Sequence, residues 1–477
     1  MYTSTRSKMN INASKAIIDG IAPDGGLFVK KLEKKFSHED LVRLSKLSYK
    51  ELAFEIMKLF FNDFEEKALK DLIEKAYTNT FDTENLVEIK SLDNFAFLEL
   101  YHGNTLAFKD VALSILPHLL DESKKINKET NNTIILTATS GDTGSAALCG
   151  FSKADSTKMI VLYPTQGVSK IQEKQMLSFG SDKQKVIAIN GNFDDAQRLV
   201  KKAFNDENNK DYNLSSANSI NIGRLVPQIV YYFYSYFKEV KNCEDKINFV
   251  VPTGNFGNIL AGYIAKELGL PVNKLICASN SNNVLYDFFR KGVYDRNREF
   301  FKTISPSMDI LVSSNLERLL YHVSGNDKEV KEMMDSLNSN GKYETSLEFS
   351  DFYSEYVDIE TTYKGIKEVY DKYDYLIDPH TAVGYVAYKK YIEDTNDNTK
   401  TIIASTAHPF KFPEAICKAL DLPFNGEFEA IEMLSEKCKI KYPEPFKKLT
   451  GEYKKTIWEK EESYENLCNL IKELAND

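Results

Sequence analysis

Apolar positions in residues 37–76 recur at helical spacing. Leu41, Leu44 and Leu47 fall on one face, and Ser37-His-Glu-Asp40 and Ser48-Tyr-Lys-Glu51 each place a hydroxyl at a helix start with a carboxylate three residues on. The period then changes. FAFLELY (95–101) is a short apolar run that ends in HGNT, and beyond it the chain alternates between apolar runs, polar loops and helical stretches. The runs are TIILTAT (133–139), MIVLYP (159–164), KVIAIN (185–190), INFVVPT (247–253), KLICASN (274–280), YLIDPHTAVG (375–384) and TIIASTAHPF (401–410). Runs rich in β-branched residues that stop at Gly, Ser or Thr before a helix predict parallel strands joined by crossover helices. The expected class is α/β, with two parallel-sheet domains and a helical N-terminal segment. The expected divisions are a helical segment at 1–95, a small α/β domain at 96–240, a large α/β domain at 241–415 with a helical insertion near 285–345, and a helical C-terminal region at 416–477.

Composition narrows the function. A chain of 477 residues has room for two or three full cores. Hydrophobic content of 42% and charged content of 27% are ordinary for a globular protein. The net charge is −9 and no basic stripe is interleaved with aromatics, so no nucleic-acid partner is expected. No apolar run approaches the roughly 18 residues of a membrane span, so no membrane partner is expected either. MYTSTRSKMN lacks the apolar segment of a secretory signal. The six cysteines form no C-x-x-C pair, and H-E-x-x-H is absent. Free thiols, a cytoplasmic location and no bound metal are expected.

Three polar stretches are candidates for anion binding. GNFGN (254–258) joins an apolar strand to an amphipathic helix; its glycines let backbone N–H groups approach a phosphate at a helix N-terminus. It is neither a Walker A loop nor G-x-G-x-x-G, and a glycine turn of this kind can equally be a plain connection. SGDTG (140–144) sits in the same position after another strand, where α/β proteins bind ligands. NLSSANSINIGR (213–224) offers Asn218, Ser219 and Arg224, an anion fork or simply a polar helix start with a surface arginine. Most lysines are solvated, but Lys109 lies between Leu106-Ala107-Phe108 and, past Asp110, Val111-Ala112-Leu113. A lysine in apolar surroundings loses its proton more easily and can attack a carbonyl. An amine for an aldehyde and a loop for a phosphate are the two things pyridoxal phosphate requires.

HGNTLAFKD, TATSGDTGSAA, YPTQGVSKIQEKQM, SSANSINIGRL, VPTGNFGNILAGYIAKELGLP, PSMDILVSSNLERLLY and STAHPFKFPEA follow one another in this order. Together with STR (4–6) and APDGGLFV (22–29) they resemble the long-form threonine synthases, which have the fold-type II, tryptophan synthase β-like architecture of pyridoxal-phosphate enzymes. Phe410 and Asn258 depart from the commoner small residue and aspartate of that family.

The resemblance implies a lyase that turns O-phospho-L-homoserine and water into L-threonine and phosphate by β,γ-replacement, using pyridoxal 5′-phosphate. It implies Lys109 as the attachment residue and general base. Gly254, Asn255, Phe256, Gly257 and Asn258 would hold the cofactor phosphate. Asp142 would lie near the ring and its phenolic oxygen, and Thr406 near the ring nitrogen. Thr139, Ser140 and Thr143 would receive the substrate carboxylate, and Asn218, Ser219 and Arg224 its phosphate. Ser4 and Arg6 could contribute. His102 is open between proton transfer and structure, His380 and His408 receive no catalytic role, and Cys149 and Cys277 read as core. The expected assembly is a monomer or a dimer. A related phospho-lyase or ammonia-lyase would share Lys109 and the glycine loop, and a non-catalytic phosphate-binding protein would dispense with the lysine.

Overall fold

The structure is a computed structural model and describes residues 1–154, 156–165 and 168–476. Two open sheets organise the chain. The larger has six strands in the order Phe352–Tyr356, Val272–Ser279, Ile247–Pro252, Thr401–Ser405, Phe95–Glu99, Glu88–Ser91. All run parallel except the last, which pairs antiparallel with Phe95–Glu99. The smaller has five parallel strands, Thr456–Glu459, Gln184–Asn190, Thr157–Pro164, Thr133–Ala138 and Leu214–Ser215. The central strands are buried along their whole length, which is why their sequences read as unbroken apolar runs.

Helices Ala13–Asp19, His38–Leu44, Tyr49–Met57 and Glu66–Tyr77 make up the N-terminal segment. Both expected capping boxes form, at Ser37 with Asp40 and at Ser48 with Glu51. Helix Ile222–Glu239, buried from Ile222 to Tyr236, packs against Tyr49–Met57 and against helix Gly257–Glu267. It thereby ties the N-terminal helices to the glycine loop. The insertion holds helices Val284–Lys291, Leu316–Ser324 and Asp327–Asn340 with the hairpin Val293–Asp295/Lys342–Glu344.

Four features differ from the sequence reading. Residues 375–378 form no strand: Asp378 caps helix Pro379–Thr395 by accepting the N–H groups of His380 and Thr381, as an Asp-Pro helix start does. Phe95–Glu99 pairs with Thr401–Ser405 and so sits in the larger sheet, although the expected small domain began at residue 96. The C-terminal region carries helices Glu427–Cys438 and Ser463–Asn476, but also the strand Thr456–Glu459 on the edge of the smaller sheet. Strands Phe352–Tyr356 and Glu88–Ser91 had no apolar run to announce them. In YPTQGVSKIQEKQM, Gln166 and Gly167 lie outside the described residues; Ser169 begins helix Lys170–Ser178 with a capping box to Gln172.

Among the described residues no helix is long and apolar enough to cross a membrane, and no group of three or more His, Cys, Asp or Glu could hold a metal ion.

Candidate active site

Strands of both sheets end at one cavity of about 800 Å³. Every residue expected to hold cofactor or substrate, from Lys109 to Thr406, lines it except Asp142, which lies behind its wall. His102, Ser4 and Arg6 are not among the lining residues.

Lys109 is positioned by the turn before it. The Thr105 N–H and hydroxyl both donate to the Asp110 carboxylate, at 2.8 and 2.6 Å. A Cβ on Gly103 would come within 2.4 Å of Asp110, so this turn requires glycine. Phe108 donates its N–H to the Thr406 carbonyl at 2.9 Å, joining the Lys109 turn to the end of strand Thr401–Ser405. Lys109 opens the short helix Lys109–Leu113 and its side chain is only 10% exposed. Its Nζ donates to Ser307 Oγ at 3.4 Å and lies 3.8 Å from Asp142 Oδ2 and 4.8 Å from the Phe108 ring centre. Burial lowers its pKa to about 8 against the pull of Asp142, and Arg224 and Lys411 push the same way as burial.

Asp142 opens helix Asp142–Phe151 after Gly141, whose φ of +133° suits only glycine. Its Oδ1 accepts from Lys411 Nζ and Gln172 Nε2, both at 2.8 Å, and its Oδ2 accepts from Ser307 Oγ at 3.4 Å. Burial alone would raise this carboxyl; Lys411 and then Lys109 outweigh it and hold it well below the usual carboxylate range. Thr139 Oγ1 accepts the N–H groups of Gly141 and Gly144 at 3.0 and 2.8 Å, so this hydroxyl shapes the loop and keeps only its own proton to donate. Ser140 and Thr143 line the cavity beside it.

The glycine loop ends strand Ile247–Pro252 and starts helix Gly257–Glu267. A Cβ on Gly254 would come within 2.3 Å of the Ser307 carbonyl. Phe256 adopts a left-handed φ of +65°, and its ring packs with Phe289 and Phe352, so only its main chain serves the cavity. Asn255 is exposed, and its carbonyl accepts from the Asn315 N–H and side-chain amide at 3.1 and 3.0 Å. Asn258 Oδ1 accepts from the Tyr231 hydroxyl at 2.7 Å, while its Nδ2 is buried without a partner.

Arg224, on helix Ile222–Glu239, is 3% exposed. One guanidinium nitrogen donates to the Ala217 carbonyl at 2.9 Å, and the Nε is buried without a partner. Burial lowers its pKa to about 10. Asn218 and Ser219 lie just before this helix; Asn218 N–H donates to Ser216 Oγ at 3.2 Å, and the Ser219 carbonyl accepts from Asn315 at 3.2 Å.

His102 is occupied on both ring nitrogens, by Asp82 at 2.7 Å and Glu99 at 2.9 Å. Burial would lower the ring's pKa, but these two carboxylates hold it at about 9. His380 lines the cavity, accepts the Ser307 N–H on Nε2 at 3.2 Å and pairs through Nδ1 with buried Asp378 at 2.7 Å. His408 is half-buried, and desolvation lowers its pKa to about 4. Ser4 donates to Asp24, and Arg6 is held by Glu317. Cys277 is buried core, whereas Cys149 is only half-buried, its thiol pushed up by burial to about 12.

Sequence reading missed Lys411 and Ser307. Lys411 stands between Phe410 and Phe412, the same apolar signal that marked Lys109. Ser307 carried no local signal, because its contacts come from residues distant in the chain.

The sequence matches the family described as Threonine synthase N terminus over residues 1–77, Pyridoxal-phosphate dependent enzyme over 76–406, and Threonine synthase, C-terminal over 381–456. It is 38% identical to the threonine synthase of Saccharomyces cerevisiae across 99% of this chain and 98% of that protein. The chain belongs to the threonine synthase family. The threonine synthase of Pseudomonas aeruginosa is 40% identical across 88% of this chain and 90% of its own. The crystal structure of a PLP-bound threonine synthase from Brucella melitensis superposes with a TM-score of 0.89 at 34% identity, covering 100% of this chain and 99% of that one. These similarities fix the fold as that of the fold-type II pyridoxal-phosphate enzymes.

As a member of this family the chain is an enzyme dependent on pyridoxal phosphate. The site suits that cofactor on its own terms. Lys109 offers a buried amine of lowered pKa to an aldehyde, and the N-terminus of helix Gly257–Glu267, with the unpartnered Asn258 Nδ2, offers donors to a phosphate.

Proposed function

We propose that this chain converts O-phospho-L-homoserine and water to L-threonine and inorganic phosphate. One observation carries the reading. A single cavity joins a buried amine to two separate anion-receiving positions: the glycine loop at a helix start, and a buried guanidinium that no carboxylate pairs among the described residues. A cofactor phosphate and a substrate phosphate need both positions at once.

In this reading the backbone of Gly254, Asn255, Phe256, Gly257 and Asn258 holds the cofactor phosphate, with Asn258 Nδ2 as an added donor. Thr406 would offer a hydroxyl, and no acid, to the ring nitrogen, and Asp142, behind Lys109 and Ser307, would act on the phenolic-oxygen side of the ring through them. When bound, pyridoxal phosphate supplies an electron sink for the substrate's α-carbon. Ser140, Thr143 and the free hydroxyl proton of Thr139 orient the substrate carboxylate. Asn218, Ser219 and Arg224 hold its phosphate. Lys109, freed by the substrate amine, would take the α-proton on Nζ, hand it on, and then take a β-proton. Arg224 stabilises the phosphate as it leaves the γ-carbon. The two protons would return to the γ-carbon and the α-carbon, water would add its hydroxyl at the β-carbon and leave its proton with the phosphate, and Lys109 would regain its attachment as threonine is released.

The reading includes a smaller-sheet unit, completed by the C-terminal strand Thr456–Glu459 and without strand Phe95–Glu99, that closes over bound substrate to exclude water. It also includes a cytoplasmic location and a monomeric or dimeric assembly. The test is product analysis. Purified protein given O-phospho-L-homoserine should release phosphate and L-threonine in equal amounts. Turnover of O-phosphothreonine to 2-oxobutanoate, with no threonine from phosphohomoserine, would overturn the assignment.

A further inference from the structure

Lys411 is a lysine with no exposed surface. It lies in the short turn Pro409–Lys411, just past the strand that ends at Ser405. Its Nζ makes two close contacts, to Asp142 Oδ1 at 2.8 Å and to the Thr105 carbonyl at 2.7 Å. Thr105 in turn donates twice to Asp110, the neighbour of Lys109. Lys411 therefore stands among the groups that set the charge around Lys109, and no part of the reaction derived above uses it.

The two lysines share Asp142 unequally. Lys411 and Gln172 hold Oδ1 at hydrogen-bond distance. Lys109 and Ser307 meet only Oδ2, at 3.8 and 3.4 Å. A buried carboxylate committed to Lys109 would hold that amine as an ammonium, which cannot attack a carbonyl. We propose that Lys411 is a positioning residue of this site: by pairing with Asp142 it withholds the carboxylate's charge from Lys109 and leaves the Lys109 amine available as a nucleophile. The inference rests on Lys109 as the attachment residue. The charged groups facing Lys109 are Asp142, Arg224, Lys411 and Asp110, and the Phe108 ring covers it from its own turn. All four effects are fixed in sign. Asp142 and Asp110 favour the ammonium, and Arg224 and Lys411 oppose it. Losing Lys411 removes an opposing cation and frees Asp142 Oδ1, so both changes favour the ammonium.

The test uses full-length protein freed of cofactor. Pyridoxal 5′-phosphate is added across about pH 6 to 10, which spans the range of a lysine lowered by burial. Attachment is trapped with borohydride, and peptide mass mapping gives the rate at each lysine. In the unaltered protein the rate at Lys109 should rise with pH to a midpoint at about 8. In Lys411→Met the midpoint should move up by about one unit, which slows attachment at neutral pH about tenfold. Because Lys411→Met strands a buried carboxylate, the comparison is repeated between Asp142→Asn and Asp142→Asn/Lys411→Met, where loss of Lys411 should still raise the midpoint by a smaller amount. Lys411→Arg should retain the unaltered midpoint. Label on Lys109 with an unmoved midpoint in both backgrounds overturns the proposal. Label on a different lysine in the unaltered protein overturns the attachment assignment instead.

Discussion

Lys109 and Arg224 are both buried cations, and the site treats them differently. Lys109 keeps a loose carboxylate and a hydroxyl nearby; Arg224 keeps a carbonyl and an unpartnered Nε. Lys109→Ala is expected to lower threonine formation by roughly 10³-fold or more, as loss of a positioned acid-base group does, and to abolish the cofactor's yellow absorbance. Arg224→Ala is expected to raise KM for phosphohomoserine by about 10- to 100-fold, the scale of a lost charge-assisted hydrogen bond, while cofactor retention stays unchanged. Parallel loss of both would reject its assigned role. His102 makes a separate prediction about stability. The folded protein holds this proton more tightly than the unfolded chain does, so its contribution is complete below about pH 6.5 and disappears as pH climbs through about 9. Thermal unfolding midpoints should fall across that window, and His102→Gln should remove that part of the slope. Lys109 was legible because apolar neighbours flank it in sequence. Lys411 gave the same signal and went unread, and the Ser307 hydroxyl gave none, since folding alone brings it between Lys109 and Asp142.

At the scale of elements, the loops after the strands place the chemistry and the glycines set how closely they approach. The turn Pro306–Met308 lies on Gly254, and the Ser307 N–H is pinned there by His380, whose ring is held by Asp378. Gly254→Ala should push this turn away, because the new Cβ would stand 2.3 Å from the Ser307 carbonyl. Equilibrium dialysis should then show weaker retention of pyridoxal phosphate with secondary structure intact by circular dichroism; unaltered retention would contradict this account of the loop. Strands buried on both faces were legible because parallel pairing leaves only apolar residues along them. The edge strands Glu88–Ser91, Phe352–Tyr356 and Thr456–Glu459 were not, because they are short and partly exposed and so carry polar residues. The run at 375–384 misled because Asp378-Pro379 starts a helix where the apolar residues before it suggest a strand.

On the scale of the whole molecule, two sheets turn their strand ends toward one cavity, and the C-terminal segment holds the smaller sheet in shape. Helix Ser463–Asn476 packs Leu467, Ile471 and Leu474 onto the cluster formed by that sheet and helix Phe193–Asn205. Buried Lys158 donates to the Leu474 carbonyl at 2.8 Å, and Lys460 reaches Asp195 on the cavity wall at 2.9 Å. Leu467 is fully buried, so Leu467→Ala should cost about 2–4 kcal/mol, read as a lower urea midpoint for this part of the molecule. A cost under about 1 kcal/mol, the level of a tolerated swap, would mean that the segment is not integral to the sheet. The two-sheet architecture was legible from alternating runs and helices. The return of the chain's last strand to the smaller sheet was not, since nothing in a polar edge strand names its partner. The measurement that bears most directly on the account is borohydride reduction of the holoenzyme followed by peptide mass mapping. The account predicts one pyridoxyl adduct, on the peptide containing Lys109; an adduct on Lys411 or any other lysine, or none at all, would contradict it.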